Sequence, residues 1–205
     1  MTKWNSNDVA LFLDIDGVLA TAKSYYDRHG ARDYSEDMTE EEAAEWHIEE
    51  MQATLDGDCL KQFARVKETV PFVTVLSSSW RKLDWGYSAL LRAGIVTPET
   101  ICTTSCSFGN KPMIEYFAKQ GLGDISEYTR GQPGRGYEVE YTCHVYGITK
   151  FVIIDDESDF TEAQKPWLLQ TSFGIDGTDI LDVAGLTKDK ADELIELIEK
   201  ARALP

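Results

Sequence analysis

The chain has 205 residues, of which 20 are Lys or Arg and 36 are Asp or Glu, giving a net charge of −16. This length buries a full core but leaves room for one domain with insertions rather than several. No apolar run approaches the ~18 residues of a membrane span, so no transmembrane helix is expected.

The first element in chain order is an apolar strand, Leu11-Phe12-Leu13, that stops at Asp14-Ile15-Asp16-Gly17. In an extended strand both carboxylates leave on the same side. At the carboxyl end of a parallel strand that side opens onto the crevice where such sheets bind ligands. Two acids there call for a cation between them; the alternative is a strand followed by an acidic turn. Gly17 lets the backbone turn away and approach a bound oxyanion closely.

Residues 20–58 carry the aromatic pair Tyr25-Tyr26 and then most of the negative charge. From Asp33 to Asp58 there are eleven acids and no Lys or Arg, so this window holds −11 and the rest of the chain −5. Thr39 followed by Glu42 reads as a capping box, and Ala44, Ile48, Met51 and Leu55 follow at helical spacing. An acidic amphipathic helix is expected. Its acids either face water, as charge runs usually do, or select against polyanions, whose binding depends on neutralised phosphates.

A helix from Asp58 carries Leu60, Phe63 and Val66, and a second buried strand, Phe72 to Leu76, stops at Ser77-Ser78-Ser79-Trp80-Arg81. That end offers hydroxyls and backbone N–H groups at a helix start. Ser78 or Ser79 replaces Ser77 if the strand runs longer. Leu83, Tyr87, Leu90 and Leu91 form a stripe that stops at Gly94, and Ile101 belongs to a short strand.

The stretch 105–134 is long for a plain connection. It holds a helix starting at Pro112, with Ile114, Phe117 and Ala118 on one side, and then Gly131-Gln132-Pro133-Gly134. Lys111, Lys119, Arg130 and Arg135 make it the most basic region, suited to gripping a nucleotide or a strand end, or else an ordinary solvated insertion. Cys102, Cys106 and Cys143-His144 lack the paired CxxC spacing of zinc sites and read as small buried apolar residues. His29 and His47 have no partner motif.

Arg135-Gly136 opens a helical stretch through Val139 and Val145, and a third strand, Phe151 to Ile154, stops at Asp155-Asp156-Glu157-Ser158-Asp159. Trp167-Leu168-Leu169 reads as an edge strand. Thr187 caps a last helix in which Leu194, Ile195, Leu197 and Ile198 pack inward. Alternating strands and helices imply a three-layer α/β sandwich with a mostly parallel, Rossmann-like sheet, and the amino terminus, Met1 to Asp8, has no signal-peptide core. A cytoplasmic protein without a membrane partner is expected.

Three strand ends and a helix start thus supply, in order, Asp-x-Asp, a hydroxyl, a cation and an acidic pair. That order resembles the haloacid dehalogenase-like (HAD) superfamily, from about Val9 to Ala203. Ser-Ser-Ser-Trp-Arg, Arg135-Gly136-Tyr137-Glu138-Val139, Ile154-Asp155-Asp156-Glu157-Ser158-Asp159 and Gly185-Leu186-Thr187 look most like the small HAD domains associated with RNA repair. These are similar in turn to the 3'-phosphatase domain of bacteriophage polynucleotide kinase. The resemblance implies a single HAD-like catalytic domain over 1–205, a small acidic helical cap at 20–58 and a second insertion at 105–134.

A carboxylate can attack phosphorus and split one displacement into two. Asp14 is the candidate nucleophile, and Asp16 the candidate acid and then base. Acids facing a phosphate need a hard divalent cation, for which oxygen ligands favour magnesium. The resemblance implies Asp14, the carbonyl of Asp16 and Asp156 as its ligands, with Asp155 or Asp159 holding waters of the ion. Ser77 is expected to bind a phosphoryl oxygen and Arg135 to balance charge, with Lys111, at a helix start before Pro112, the other candidate cation. Gly17, Ser78, Trp80 and Lys111 are the candidate substrate contacts. The expected reaction is magnesium-dependent phosphomonoester hydrolysis through an aspartyl phosphate, on a nucleotide or a nucleic-acid 3'-phosphate. The alternatives are a phosphotransferase and a phosphate-binding module without turnover.

Overall fold

Ala10-Leu11-Phe12-Leu13 forms β1 (Ala10–Leu13), and every one of its side chains is buried. Alternation along the strand sends Leu11 and Leu13 to one face and Ala10 and Phe12 to the other, so one four-residue strand serves two apolar layers. The computed structural model describes residues 5, 8–26, 37–103, 110–122, 134–174 and 184–205. Among them β1 is the centre of a five-stranded, wholly parallel sheet, with β2 (Val73–Leu76), β3 (Ile101–Cys102), β4 (Phe151–Asp155) and β5 (Leu168–Gln170) in the order β3-β2-β1-β4-β5.

Seven α-helices lie among the described residues: α1 (Ala22–Tyr26), α2 (Glu40–Ala53), α3 (Gly57–Thr69), α4 (Asp84–Arg92), α5 (Lys111–Lys119), α6 (Gly134–Tyr146) and α7 (Lys188–Arg202). On the Leu11/Leu13 face pack Phe63 and Val66 of α3, Ala89 and Leu90 of α4, and Leu194 and Ile198 of α7. On the Phe12 face pack Val139 of α6 and Phe160, while Met113 and Phe117 of α5 pack against Tyr137 and Tyr141 of α6. Helices therefore cover both faces, as the expected α/β sandwich requires. Truncating Phe12 to Ala would cost about 3–5 kcal/mol, the usual figure for deleting a buried aromatic ring.

The helix signals act as capping chemistry predicts. Thr39 and Glu42 form both bonds of a capping box at α2, Asp56 rather than Asp58 caps α3, and Thr187 caps α7. Some predicted inward residues point out. Val145 is exposed because α6 buries Gly136, Val139 and Thr142 instead. On α5 the buried pair is Met113 and Phe117, with Ala118 outside. Leu83 precedes α4 at its cap and is exposed, as is Ala44 of α2. Trp167 ends a 3₁₀ turn before the edge strand β5.

Of residues 20–58, the described part comprises α1, α2 and the start of α3. The acidic α2 has no fully buried residue; it lies on α4 through Ile48 and Met51, a His47–Trp85 ring stack at 4.7 Å and a two-pronged Arg92–Glu45 pair at 2.5 Å. The expectations for His29, Asp33, Glu36, Cys106, Arg130 and the Gly131 to Pro133 turn fall outside the described residues, as does most of 105–134 apart from α5. Among the described residues no helix is long and apolar enough to cross a membrane.

Candidate active site

The register of the sheet assembles the site. Leu13 pairs with Leu76 on one side and Ile154 on the other, so the next residue of each strand, Asp14, Ser77 and Asp155, stands level at the carboxyl edge. The ladder continues through them: Asp14 N donates to Ile154 O at 3.0 Å and Ser77 N to Leu13 O at 2.9 Å. Their backbones are thereby fixed by the core rather than by a loop.

Asp14 and Asp155 are almost fully buried, at 1% and 0% exposure. Their carboxylates and that of Asp156 each offer an oxygen within 4.8 Å of the others, the one such acidic group among the described residues. Arg135 reaches in from the first turn of α6. Its Nη1 lies 2.8 Å from Asp155 Oδ2 and 3.3 Å from Asp14 Oδ1, and its Nη2 donates to Asp14 Oδ2 at 3.4 Å. Asp14 and Asp155 share one guanidinium, whose charge also reaches Asp156. Burial pushes the Asp155 carboxyl up to about 8, reinforced by Asp14 and opposed by Arg135. Asp156 is pushed up to about 6 by burial and then by Asp14, and Asp14 is raised chiefly by burial, against the pull of Arg135. The guanidinium in turn is destabilised by burial, but Asp14 and Asp155 outweigh this and hold it charged.

The group is therefore short of positive charge. Asp14 Oδ1 is buried and has the ion-pair contact with Arg135 Nη1 at 3.3 Å but no hydrogen-bond partner, which leaves a carboxylate oxygen incompletely satisfied. Oxygens bonded to one hard divalent ion at about 2.0–2.6 Å lie within roughly 5 Å of one another, which the group satisfies, so its donors fit such an ion. Asp155 spends both oxygens elsewhere, Oδ2 on Arg135 and Oδ1 on the amide of Glu157 at 2.9 Å. That leaves Asp14 and Asp156 as the better ligands.

Gly17 makes the expected turn away from the strand. It sits in a tight turn at φ +71°, its N–H donating to Ala20 O at 2.7 Å. A Cβ there would lie 2.4 Å from the Cβ and Cγ of Asp156. The missing side chain makes room for Asp156. Gly136 plays a similar part for α6: a Cβ would meet Thr161 N at 2.9 Å and Gln164 Oε1 at 2.6 Å, and this close approach lets Gly136 N donate to Asp159 O and accept Gln164 Nε2 at Gly136 O.

The remaining predicted residues separate into those at the group and those beside it. Ser77 Oγ is buried and unpartnered, whereas Ser78 Oγ accepts the Trp80 N–H as a cap of the 3₁₀ turn Ser79–Lys82 and keeps its own hydrogen for Asp14; Ser77 is thus the hydroxyl without a partner. Asp159 is not in the acidic group: its Oδ2 accepts the amide of Arg135 at 3.2 Å and so anchors the start of α6. The side chain of Asp16 also lies outside the group, held by other donors. Lys111 is 84% exposed and pairs loosely with Glu115 at 3.9 Å, which leaves Arg135 as the cation at the acids among the described residues. Trp80 is 2% exposed, so its ring has no open face for a base. Cys102 and Cys143 are half-buried free thiols, and burial pushes the latter up to about 12.

Sequence reasoning missed Arg81. Its Nη1 donates to the carbonyls of Ser77 and Ser78, its Nε to Thr103 O at 3.0 Å and its Nη2 to Glu138 Oε2 at 2.7 Å. With side chains 6% and 12% exposed, this pair braces the end of β2 against α6, three residues beyond Arg135. The only signal was an Arg four residues after the strand-end Ser and a Glu three after the helix-opening Arg.

No curated protein and no solved structure matches the chain. The family model described as the HAD domain in Swiss Army Knife RNA repair proteins matches residues 10–179, from the first residue of β1 to beyond β5, and the chain belongs to that family.

Proposed function

We propose that the protein is a magnesium-dependent phosphomonoesterase working through an aspartyl phosphate, with a nucleotide or a nucleic-acid 3'-phosphate as substrate. Membership of the family supports a phosphatase-type hydrolase. The observation that carries the reading is Asp14: a carboxylate 1% exposed, with an oxygen that has no hydrogen-bond partner, held at the sheet edge against Arg135 and two further acids.

In the first step an oxygen of Asp14 bonds to phosphorus as the bond to the leaving alkoxide breaks, and Asp16 gives that alkoxide its proton. In the second, water attacks the phosphorus of the aspartyl phosphate, Asp16 takes the proton of that water, and Asp14 leaves as a carboxylate. Arg135 lies against the phosphoryl oxygens and the nucleophile, and the open Ser77 hydroxyl donates to one of those oxygens. Held by Asp14, Asp156 and the backbone carbonyl of Asp16, magnesium would supply positive charge against the phosphate. Arg81 and Glu138 keep the Ser77 loop and α6 in one frame, so hydroxyl and guanidinium keep their spacing.

The family's association with RNA repair favours a nucleic-acid 3'-phosphate; the net charge of −16 favours a mononucleotide. Phosphate release from 3'- and 5'-mononucleotides, sugar phosphates and 3'-phosphorylated oligonucleotides, with and without magnesium, tests the reading. Release that needs both metal and Asp14 supports it, and the ratio of oligonucleotide to mononucleotide kcat/KM decides between the substrates. No Asp14-dependent release from any compound would refute it.

A further inference from the structure

Asp16 is gripped from two sides. The indole Nε1 of Trp80 donates to Asp16 at 3.2 Å from Oδ1 and 3.1 Å from Oδ2, and the phenol of Tyr25 donates to Oδ1 at 3.1 Å. The two donors come from different parts of the chain. Trp80 lies in the 3₁₀ turn after β2 and is 2% exposed; Tyr25 lies in α1, is 39% exposed and rests its ring on Phe173 at 5.6 Å.

A Trp side chain has one polar hydrogen and no acceptor. With that hydrogen on Asp16 and its ring enclosed, Trp80 has nothing left with which to bind a phosphate or a base. Asp16 follows the end of β1, in the turn that leads to Gly17, so its backbone alone does not fix the carboxylate, and a proton carrier has to stay within about 2.6–3.2 Å of the atom it serves. We infer that Trp80 and Tyr25 are positioning residues that set the orientation of the Asp16 carboxylate for proton transfer to the leaving group, with Oδ2 as the oxygen that carries the proton. Oδ1 accepts from both donors and Oδ2 from Trp80 alone, so Oδ2 keeps the freer lone pair. This inference rests on the phosphomonoesterase reading, in which Asp16 moves a proton.

The leaving group separates positioning from mere structural support. The quantity kcat/KM covers only the steps through departure of the leaving group; p-nitrophenolate departs without a proton, whereas an alkoxide needs one. The wild type, Trp80→Phe and Tyr25→Phe are compared on p-nitrophenyl phosphate and on the best alkyl monoester found in the substrate panel. Trp80→Phe is expected to lose about 10- to 100-fold in kcat/KM on the alkyl ester, part of the ~10²–10⁴-fold that a positioned acid supplies, and at least about tenfold less than that on the nitrophenyl ester. Tyr25→Phe, which removes one exposed hydroxyl, shows the same pattern at about three- to tenfold. Equal losses on both esters, or no loss on either, would overturn the inference. If Trp80→Phe fails to fold, as a circular-dichroism melt would reveal, Tyr25→Phe decides alone. Failure of the parent reading shows in the wild type, as absence of Asp14-dependent turnover of both esters, and takes this inference with it.

Discussion

Two acidic regions of the molecule are opposites in every respect but sign. Helix α2 and its flanks hold most of the negative charge, yet Glu40, Glu41, Glu42, Glu45 and Glu49 lie at the surface, and Glu42 and Glu45 sit below the usual carboxylate range, the first through its bond to the Thr39 amide and the second through Arg92. At the edge of the sheet the close acidic group among the described residues is Asp14, Asp155 and Asp156, and all three are pushed upward by burial. Water and one neighbour satisfy an exposed acid, while a buried one needs a dedicated partner. The number of acids in a segment therefore says little about chemistry; three acids with one guanidinium say a great deal.

The contrast is broken most severely at Asp14. Asp14→Asn keeps the shape but removes the nucleophile, and phosphate release should fall to background. Because the substitution also removes a buried charge, the metal-free variant should melt no lower than the wild type. A lower melting temperature would mean that the Asp14 charge stabilises the fold rather than serving turnover.

Arg135→Met comes next. It leaves the three acids without their shared cation, and losing one partner of a buried ion pair costs about 3–5 kcal/mol. Urea unfolding in the presence of a chelator should show this loss, and magnesium should recover part of it.

The comparison is sharpened by pH. Asp156, at about 6, and Asp155, at about 8, both titrate above the ordinary 3.8 of an unfolded Asp. Over that interval the folded protein binds more protons than the unfolded chain, so their contribution is complete below 3.8 and is lost as the pH rises through about 6 and about 8. Without metal, Tm should be lower at pH 8.5 than at pH 5, and magnesium should raise it more at the higher pH. The opposite order would remove the buried acids as the source of the strain.

The smallest effect belongs to α2. Replacing Glu41, Glu42 and Glu49 together by Gln should leave mononucleotide kcat/KM and the ratio of oligonucleotide to mononucleotide turnover unchanged, since exposed charges that face water do not read a substrate. A ratio that rises in favour of oligonucleotides would instead show that these acids repel polyanions at the site.

Strand ends were legible in the sequence because an apolar run cut off by acids or hydroxyls fits few places in a fold besides the edge of a buried sheet. Asp14, Ser77 and Asp155 end such runs, and the register brings them level. Spacing favoured Arg135 over Lys111, which lies too far before Asp155 for a single crossover helix, but which acids the guanidinium meets was not legible, since a cation's partners depend on where its helix docks. Nor was the hold of Trp80 on Asp16 or of Arg81 on Glu138, contacts between residues far apart in the chain that leave no local pattern. Val139 and Val145 show the same limit within one helix: both fit an apolar reading of α6, but only the first faces the sheet.

The turn at Gly17 ties the history of two distant positions together. Asp156 occupies the volume that any side chain at 17 would claim, so position 17 cannot drift alone: a lineage that kept the acid would find every other amino acid closed to it there. A duplicated copy released from catalysis would lose the steric part of that restriction once Asp156 shrank, with only the positive φ remaining. In families of such domains, the residue at this turn would therefore record whether the acid opposite it is still in use.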